Sequence, residues 1–115
     1  GGEPMEPENQ TGLLPFLQRV RSRFPEKTIW CYTGEFYENL LDSRSRCSCK
    51  ETQEILSLVD ILVDGPFEQD KHDITLRFKG SSNQRIIDLA KTRAEGELRL
   101  WEDDPTYATH SMNRD

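Results

Sequence analysis

The spacing of apolar side chains divides the chain into short helical and extended segments. A first helix is predicted from apolar side chains that recur every three or four residues, Leu13, Leu17, Val20 and Phe24. Asn9 or Thr11 is expected to cap this helix, and Pro25 to end it. Pro15 fits only if it falls in the first turn, because an interior proline removes a backbone hydrogen bond.

Two strands and two further helices are predicted in the middle of the chain. Residues 27–33 are rich in β-branched and aromatic side chains and predict a strand that Gly34 ends. Residues 35–41 and 52–58 predict helices, with a polar loop at residues 42–50 between them. Residues 60–64 form an apolar run between two aspartates, which is typical of a parallel strand buried on both faces.

The last third of the chain predicts a strand, a helix and a short final strand. Apolar and polar residues alternate over residues 74–79, which indicates a half-exposed strand. Residues 80–83 predict a turn and helix cap, followed by a helix from residue 86 to about residue 94 that contains Ile86 and Ile87. Residues 98–102 predict a last strand, and residues 103–115, which show no periodicity, are expected to be a disordered tail.

This alternation of helices and strands predicts an α/β fold with parallel strands and flanking helices. Two or three parallel strands are too few to close a barrel, so we expect an incomplete sheet that belongs to a longer chain. The Gly1-Gly2-Glu3-Pro4 start, which no Met precedes, agrees with that expectation.

Composition narrows the classes of function. The formal net charge of −6 argues against a surface that follows nucleic-acid phosphates. No apolar run approaches the ~20 residues of a membrane-spanning helix, so no membrane partner is expected. Three cysteines without a signal peptide indicate a reducing compartment, and we expect a cytoplasmic protein. The Cys47-x-Cys49 spacing is unlike that of zinc sites, so free thiols and no metal site are expected.

Polar residues follow both middle strands at the edge where parallel strands end. Thr33 and Asp64 stand there, and ligands bind at that edge in parallel sheets. Both residues also suit an ordinary turn, and the residues alone leave these alternatives open. Glu3, after two glycines that permit close backbone approach, offers a carboxylate to an ammonium group or forms part of a plain turn. Ser82 and Asn83 are equally suited to a ligand site or a helix cap.

Four segments together resemble a known family: residues 1–4 (GGEP), 27–34 (KTIWCYTG), 59–67 (VDILVDGPF) and 76–89 (LRFKGSSNQRIIDL). They are similar to the C-terminal two-thirds of the anaerobic ribonucleoside-triphosphate reductase activating proteins, which are radical S-adenosylmethionine (SAM) enzymes. The resemblance is collinear over about residues 1–89. Its most specific parts are the DGPF and RFKGSSNQRIID segments.

The resemblance implies a partial (β/α) barrel in which a [4Fe-4S] cluster passes an electron to SAM. SAM then yields a 5′-deoxyadenosyl radical, which takes hydrogen from a glycine of the partner reductase. A flavodoxin-type electron donor is implied as a second partner. By the same resemblance Gly1, Gly2 and Glu3 hold the SAM amino group, and Thr33 and Asp64 face its methionine or ribose portion. The remaining implied site residues are Ser82, Asn83 and Gln84.

The sequence departs from the family in one respect. The C-x₃-C-x₂-C motif that holds the cluster is absent, so the cluster ligands are expected upstream. We therefore expect residues 1–102 to be the C-terminal portion of a radical SAM domain, inactive on its own. Two alternatives stay open, an activase for another glycyl-radical enzyme such as formate acetyltransferase, and a non-catalytic SAM-binding or partner-docking module.

Overall fold

A computed structural model describes residues 3–71, 78–79 and 81–101. Four α-helices are formed in this part of the chain, α1 (Pro7–Arg23), α2 (Tyr37–Leu41), α3 (Thr52–Leu58) and α4 (Leu89–Glu95). Three strands join them, β1 (Trp30–Tyr32), β2 (Ile61–Asp64) and β3 (Arg85–Asp88), with a 3₁₀ turn at Gln69–Lys71. Within the described residues, no helix is long and apolar enough to cross a bilayer.

The sheet has the order β1-β2-β3 and is mixed. β1 runs parallel to β2, with Cys31 opposite Leu62, whereas β3 runs antiparallel, with Leu62 opposite Ile87. The predicted α/β class and the parallel pairing of the first two strands are confirmed. The prediction of parallel strands throughout is wrong for β3, and a partial barrel stays a prediction.

The core lies mainly between the sheet and its helices. Alternate strand residues Cys31, Leu62 and Ile87 face the helices and join one apolar cluster with Leu17, Leu40, Ile55 and Leu89. Their neighbours Ile61, Val63 and Ile86 face the other side, where Trp30 and Trp101 pack on them. This division follows from the two-residue repeat of a strand, in which successive side chains point to opposite faces.

The helix predicted at residues 86–94 begins at Leu89, three residues later than predicted. Ile86 and Ile87 are both buried but on opposite faces of the sheet, as two consecutive strand residues are. In a helix the two side chains would point about 100° apart. Two adjacent isoleucines are therefore compatible with a helix or with a strand buried on both faces. The helix starts at Leu89, where the Asp88 carboxylate accepts the Lys91 backbone N–H at 2.9 Å. The predicted cap at residues 80–83 is therefore wrong, and Gly96 ends the helix as predicted.

The first helix also differs from its prediction. It begins at Pro7 with Glu6 as the N-cap residue and no side-chain cap, so neither Asn9 nor Thr11 caps it. Pro15 lies inside the helix rather than in its first turn. Pro15 removes one backbone hydrogen bond of the helix. The buried side chains of Gln10 and Leu17 hold the helix on either side of it.

Two predicted elements near the end can be placed only in part. The predicted strand at residues 74–79 lies mostly outside the described residues, and Phe78 and Lys79 are not in a strand. The final strand reduces to one antiparallel bridge between Leu100 and Ile87. Residues 102–115 lie outside the described residues, so the expected tail and the 1–102 domain boundary stay predictions.

Candidate functional site

The candidate site lies at the edge of the sheet where β1 and β2 end. Thr33 follows β1, and its backbone N–H donates to the Val63 carbonyl at 2.9 Å. Asp64 ends β2 and is in register with Arg85, the first residue of antiparallel β3. Thr33 therefore lies next to the end of β2, where Asp64 is paired with Arg85.

The Glu3 carboxylate is fixed to the end of β1. Its Oε2 accepts hydrogen bonds from the Thr33 hydroxyl at 2.6 Å and from the Met5 backbone N–H at 2.9 Å. Its Oε1 accepts the Gly34 backbone N–H at 2.6 Å. A side chain at Gly34 would bring a Cβ within 3.2 Å of this Oε1. Glycine thus lets the carboxylate approach the backbone closely.

The turn after β2 depends on a glycine as well. Gly65 has φ +98°, and a Cβ there would lie 3.2 Å from the ring of Phe36. The Gly65 backbone N–H donates to the Glu35 carbonyl at 3.0 Å, which joins this turn to the turn after β1. Any other residue would combine an unfavourable backbone conformation with a steric contact.

Two amide side chains hold this turn from the side of β3. Asn83 Nδ2 donates to the Pro66 carbonyl at 2.8 Å, and Gln84 Nε2 donates to the Gly65 carbonyl at 2.9 Å. Their oxygens are also paired, because Asn83 Oδ1 accepts the hydroxyl of buried Ser81 at 2.6 Å. Gln84 Oε1 accepts the Ser81 backbone N–H at 3.2 Å. The two amides therefore shape the turn.

Asp64 is fully buried and accepts three hydrogen bonds from two residues. The Tyr37 backbone N–H donates to its Oδ2 at 2.8 Å, and Arg85 donates to both carboxylate oxygens, at 3.0 and 2.5 Å. Arg85 also donates two bonds to Glu38 on α2, at 2.8 and 3.2 Å. These bonds hold the pKa of Glu38 below its ordinary value, and the two carboxylates raise the pKa of Arg85.

Five of the predicted site residues meet at this edge: Glu3, Thr33, Asp64, Asn83 and Gln84. Ser82 is exposed, and its backbone N–H donates to the Lys71 carbonyl at 3.0 Å. Gly1 and Gly2 lie outside the described residues. Sequence reasoning missed Arg85 and Glu38, although Arg85 directly follows the Asn83-Gln84 pair. The ligand roles of all eight predicted residues stay predictions.

The family profile described as "4Fe-4S single cluster domain" matches residues 1–87, which is most of the chain. The chain belongs to this family. The match includes the whole edge just described, from Glu3 to Arg85.

Curated relatives of this chain are named anaerobic ribonucleoside-triphosphate reductase-activating protein. The relative from Pasteurella multocida is 42% identical over 87 residues, which cover 75% of this chain and 51% of the relative. The relative from Vibrio cholerae is 41% identical over 86 residues, which cover 75% of this chain and 50% of the relative. The relative from Escherichia coli K12 is 37% identical over 89 residues, which cover 77% of this chain and 53% of the relative.

The resemblance noted in the sequence is thereby confirmed as a similarity. The chain spans about half the length of the curated relatives it matches. No solved structure matches it.

The cysteines of this 4Fe-4S family member do not fit a cluster. Cys31 faces the helical core, and burial, together with the nearby charge of Glu3, raises the pKa of its thiol to about 12. Cys47 is buried beside the Ser45 hydroxyl, with 3.2 Å between Sγ and Oγ. Cys49 is half-buried, and its thiol donates to Gln10 Oε1 at 3.2 Å.

Iron–sulfur clusters require several thiolates converging on one point. Within residues 3–71, 78–79 and 81–101, no three Cys, His, Asp or Glu side chains are grouped as metal ligands. The three thiols therefore do not form a cluster site in this arrangement.

Proposed function

We propose that this chain is part of a protein that activates anaerobic ribonucleoside-triphosphate reductase, and that its sheet edge binds SAM. The names of the relatives support the reductase as partner over formate acetyltransferase. A flavodoxin as electron donor remains a prediction from the family resemblance.

The observation that carries the SAM proposal is the bonding of Glu3. A carboxylate oxygen can accept two hydrogen bonds. Oε2 has two donors, Met5 and Thr33, whereas the described residues give Oε1 one donor, Gly34. The remaining acceptor position on Oε1 suits an ammonium group, and the three existing bonds hold the carboxylate in place for it. Such preorganisation lowers the entropic cost of binding.

SAM supplies an ammonium, a carboxylate and the sulfonium bond that the activation reaction breaks. The part of this chain described here acts in binding and orientation. Glu3 takes the ammonium, and Asp64, Asn83 and Gln84 fix the backbone of the two turns that flank it. The cysteine geometry leaves cluster chemistry to residues other than these three thiols.

Isothermal titration with SAM tests the proposal. The 115-residue chain should bind SAM, and Glu3→Gln should weaken binding about tenfold or more, because a charge-assisted bond contributes ~1.5–3 kcal/mol. Glu8→Gln, at an exposed position near the start of α1, is the matched control and should bind as the parent does. Failure of the parent chain to bind SAM would contradict the proposal.

A second experiment concerns the cluster. Anaerobic reconstitution of the chain with iron and sulfide should give no stoichiometric [4Fe-4S] absorbance and no reductive cleavage of SAM. Appearance of both would show that the cysteines rearrange into a cluster site. A non-catalytic SAM-binding module is the second candidate function, and it is favoured by the burial of the Cys31 and Cys47 thiols, which keeps both from an exposed metal site.

A further inference from the structure

Helix α1 has an exposed surface opposite the side that packs on the core. Its buried residues, Gln10 and Leu17, face the rest of the chain. The outer face of α1 consists of five exposed residues: Glu8, Gly12, Phe16, Arg19 and Arg23. With 3.6 residues per turn, these five fall within an arc of about 80° around the helix axis. They therefore form one continuous strip from the first turn of the helix to its last.

Phe16 is the apolar centre of this outer face. Its side chain is 52% exposed and lines two grooves. One groove, of ≈ 280 Å³, runs along α1 to Phe24. The other, of ≈ 330 Å³, lies between α1 and the aromatic side chains of Trp30 and Tyr32. An exposed ring beside two grooves is a shape into which a second, rotated copy of the same helix can pack.

The charges of the outer face have opposite signs at its two ends. Glu8 lies in the first turn of α1, whereas Arg19 and Arg23 lie near its end. Among the described residues, none of these three side chains has a hydrogen-bond or ion-pair partner. Arg21, on the core side of the helix, is by contrast paired with Asp60 at 2.7 Å. The three charges of the outer face are therefore available to a partner.

A two-fold axis through the middle of the outer face pairs these charges. The midpoint between Glu8 and Arg23 falls beside Phe16, and each residue advances the helix by 1.5 Å, so the two charges lie about 11 Å on either side of the midpoint. In an antiparallel pair of α1 helices, Glu8 of each copy is level with Arg23 of the other. Gly12 of each copy is then level with Arg19 of the other.

Gly12 fits this arrangement. A Cβ at Gly12 would meet no atom within 4 Å, so the fold of a single chain does not require glycine there. Glycine inside a helix is less favourable than alanine, because it loses more conformational freedom on folding. At the level of Arg19 of a second copy, the missing side chain leaves room for the long arginine and for close approach of the two helices.

We propose that the outer face of α1 is a self-association surface, on which a second copy of this chain packs with its α1 antiparallel. The contact is isologous: Phe16 of both copies lies at the two-fold axis, and Glu8 pairs with Arg23 at each end. A second copy fits this face because the face carries both signs of charge in an order that is its own complement. The inference does not depend on the proposed function, because these residues are not among those that hold the sheet edge.

Sedimentation velocity of the 115-residue chain between about 1 µM and about 500 µM tests the surface. The mass should rise from that of one chain to that of two. Glu8→Arg and Arg23→Glu each place like charges at both ends of the contact, so each variant alone should dimerise about tenfold more weakly or worse. Lys50→Glu changes the charge by the same amount as Arg23→Glu at an exposed position outside α1, and this matched control should dimerise as the parent does.

An equimolar mixture of the two charge variants is the decisive sample. In a heterodimer of Glu8→Arg with Arg23→Glu, an arginine faces a glutamate at both ends again. The mixture should therefore dimerise about as strongly as the parent. Recovery in the mixture excludes misfolding of either variant as the cause of its loss, and only an antiparallel pairing predicts it.

Three results would overturn the proposal: a parent chain that stays monomeric, single charge variants that dimerise as the parent does, or charge variants that stay monomeric when mixed. None of them affects the proposed binding of SAM.

Discussion

The Glu3 carboxylate accepts a hydrogen bond from the Thr33 hydroxyl at 2.6 Å and so ties the segment before α1 to the end of β1. The two residues are 30 positions apart in sequence. Thr33 is only 4% exposed, so its hydroxyl depends on this partner rather than on water. This contact therefore holds the segment before α1 against the edge of the sheet.

Glu3→Ala should destabilise the protein by about 1–3 kcal/mol, because it leaves the buried Thr33 hydroxyl without its acceptor. Thr33→Val, which removes the hydroxyl, should cost less. The double variant should be more stable than the sum of the single effects predicts, with a coupling of at least ~0.5 kcal/mol, as expected for residues in contact. Urea unfolding of the four proteins measures the cycle, and simple additivity would contradict a direct Glu3–Thr33 contact.

Arg85→Gln should destabilise the protein by about 3 kcal/mol, because fully buried Asp64 loses its charged partner. Adding Asp64→Asn should recover part of the loss, since no charge is then buried. Arg99→Gln is the control, because Arg99 pairs with the partly exposed Glu95 and its removal should cost less than about 1 kcal/mol. Equal losses at Arg85 and Arg99 in urea unfolding would show that burial of Asp64 does not govern this pair.

The sequence predicted the elements whose pattern has a single interpretation. The apolar run at residues 60–64 became β2, and residues 52–58 became α3, because length and flanking polar residues left no alternative. Ile86 and Ile87 were misassigned to a helix because two adjacent apolar residues fit either structure. Their pairing with β2, which decides the case, is a tertiary contact that periodicity does not contain.

The same limit applies to the site. Thr33 and Asp64 could be predicted at one edge because parallel strands end together. Arg85 could not be recognised, because its partners Asp64 and Glu38 are 21 and 47 residues away. The antiparallel direction of β3 brings these residues together, and no local sequence pattern indicates that direction.

Glu38→Gln should reduce the loss of folding stability that occurs as the pH falls below about 4.5. The hydrogen bonds from Arg85 lower the pKa of folded Glu38 below its ordinary value of 4.5. The unfolded carboxyl therefore takes up its proton first as the pH falls, so the stability that this group contributes above pH ~4.5 is lost below it.

Urea unfolding between pH 3.5 and pH 6 measures the effect on that slope. The parent should lose stability more steeply than Glu38→Gln over the acid part of this range. Parallel curves for Glu38→Gln and the parent would show that the ion pair with Arg85 does not persist in solution.

Alkylation should distinguish the three thiols in the order of their burial. At pH 8 iodoacetamide should modify half-buried Cys49 first, whereas Cys31 should react only when the chain unfolds. Burial, with a smaller contribution from the charge of Glu3, raises the pKa of Cys31 from 9.0 to about 12, and the reactive form of a thiol is the thiolate. Mass spectrometry of peptides labelled with and without urea gives the order of modification. Labelling of Cys31 as fast as Cys49 in the folded chain would place that thiol at the surface, where it could reach a metal.

The raised pKa of Cys31 also predicts how stability changes at alkaline pH. Because the unfolded thiol ionises near pH 9 and the folded one does not, stability should fall as the pH rises from 9 towards 12.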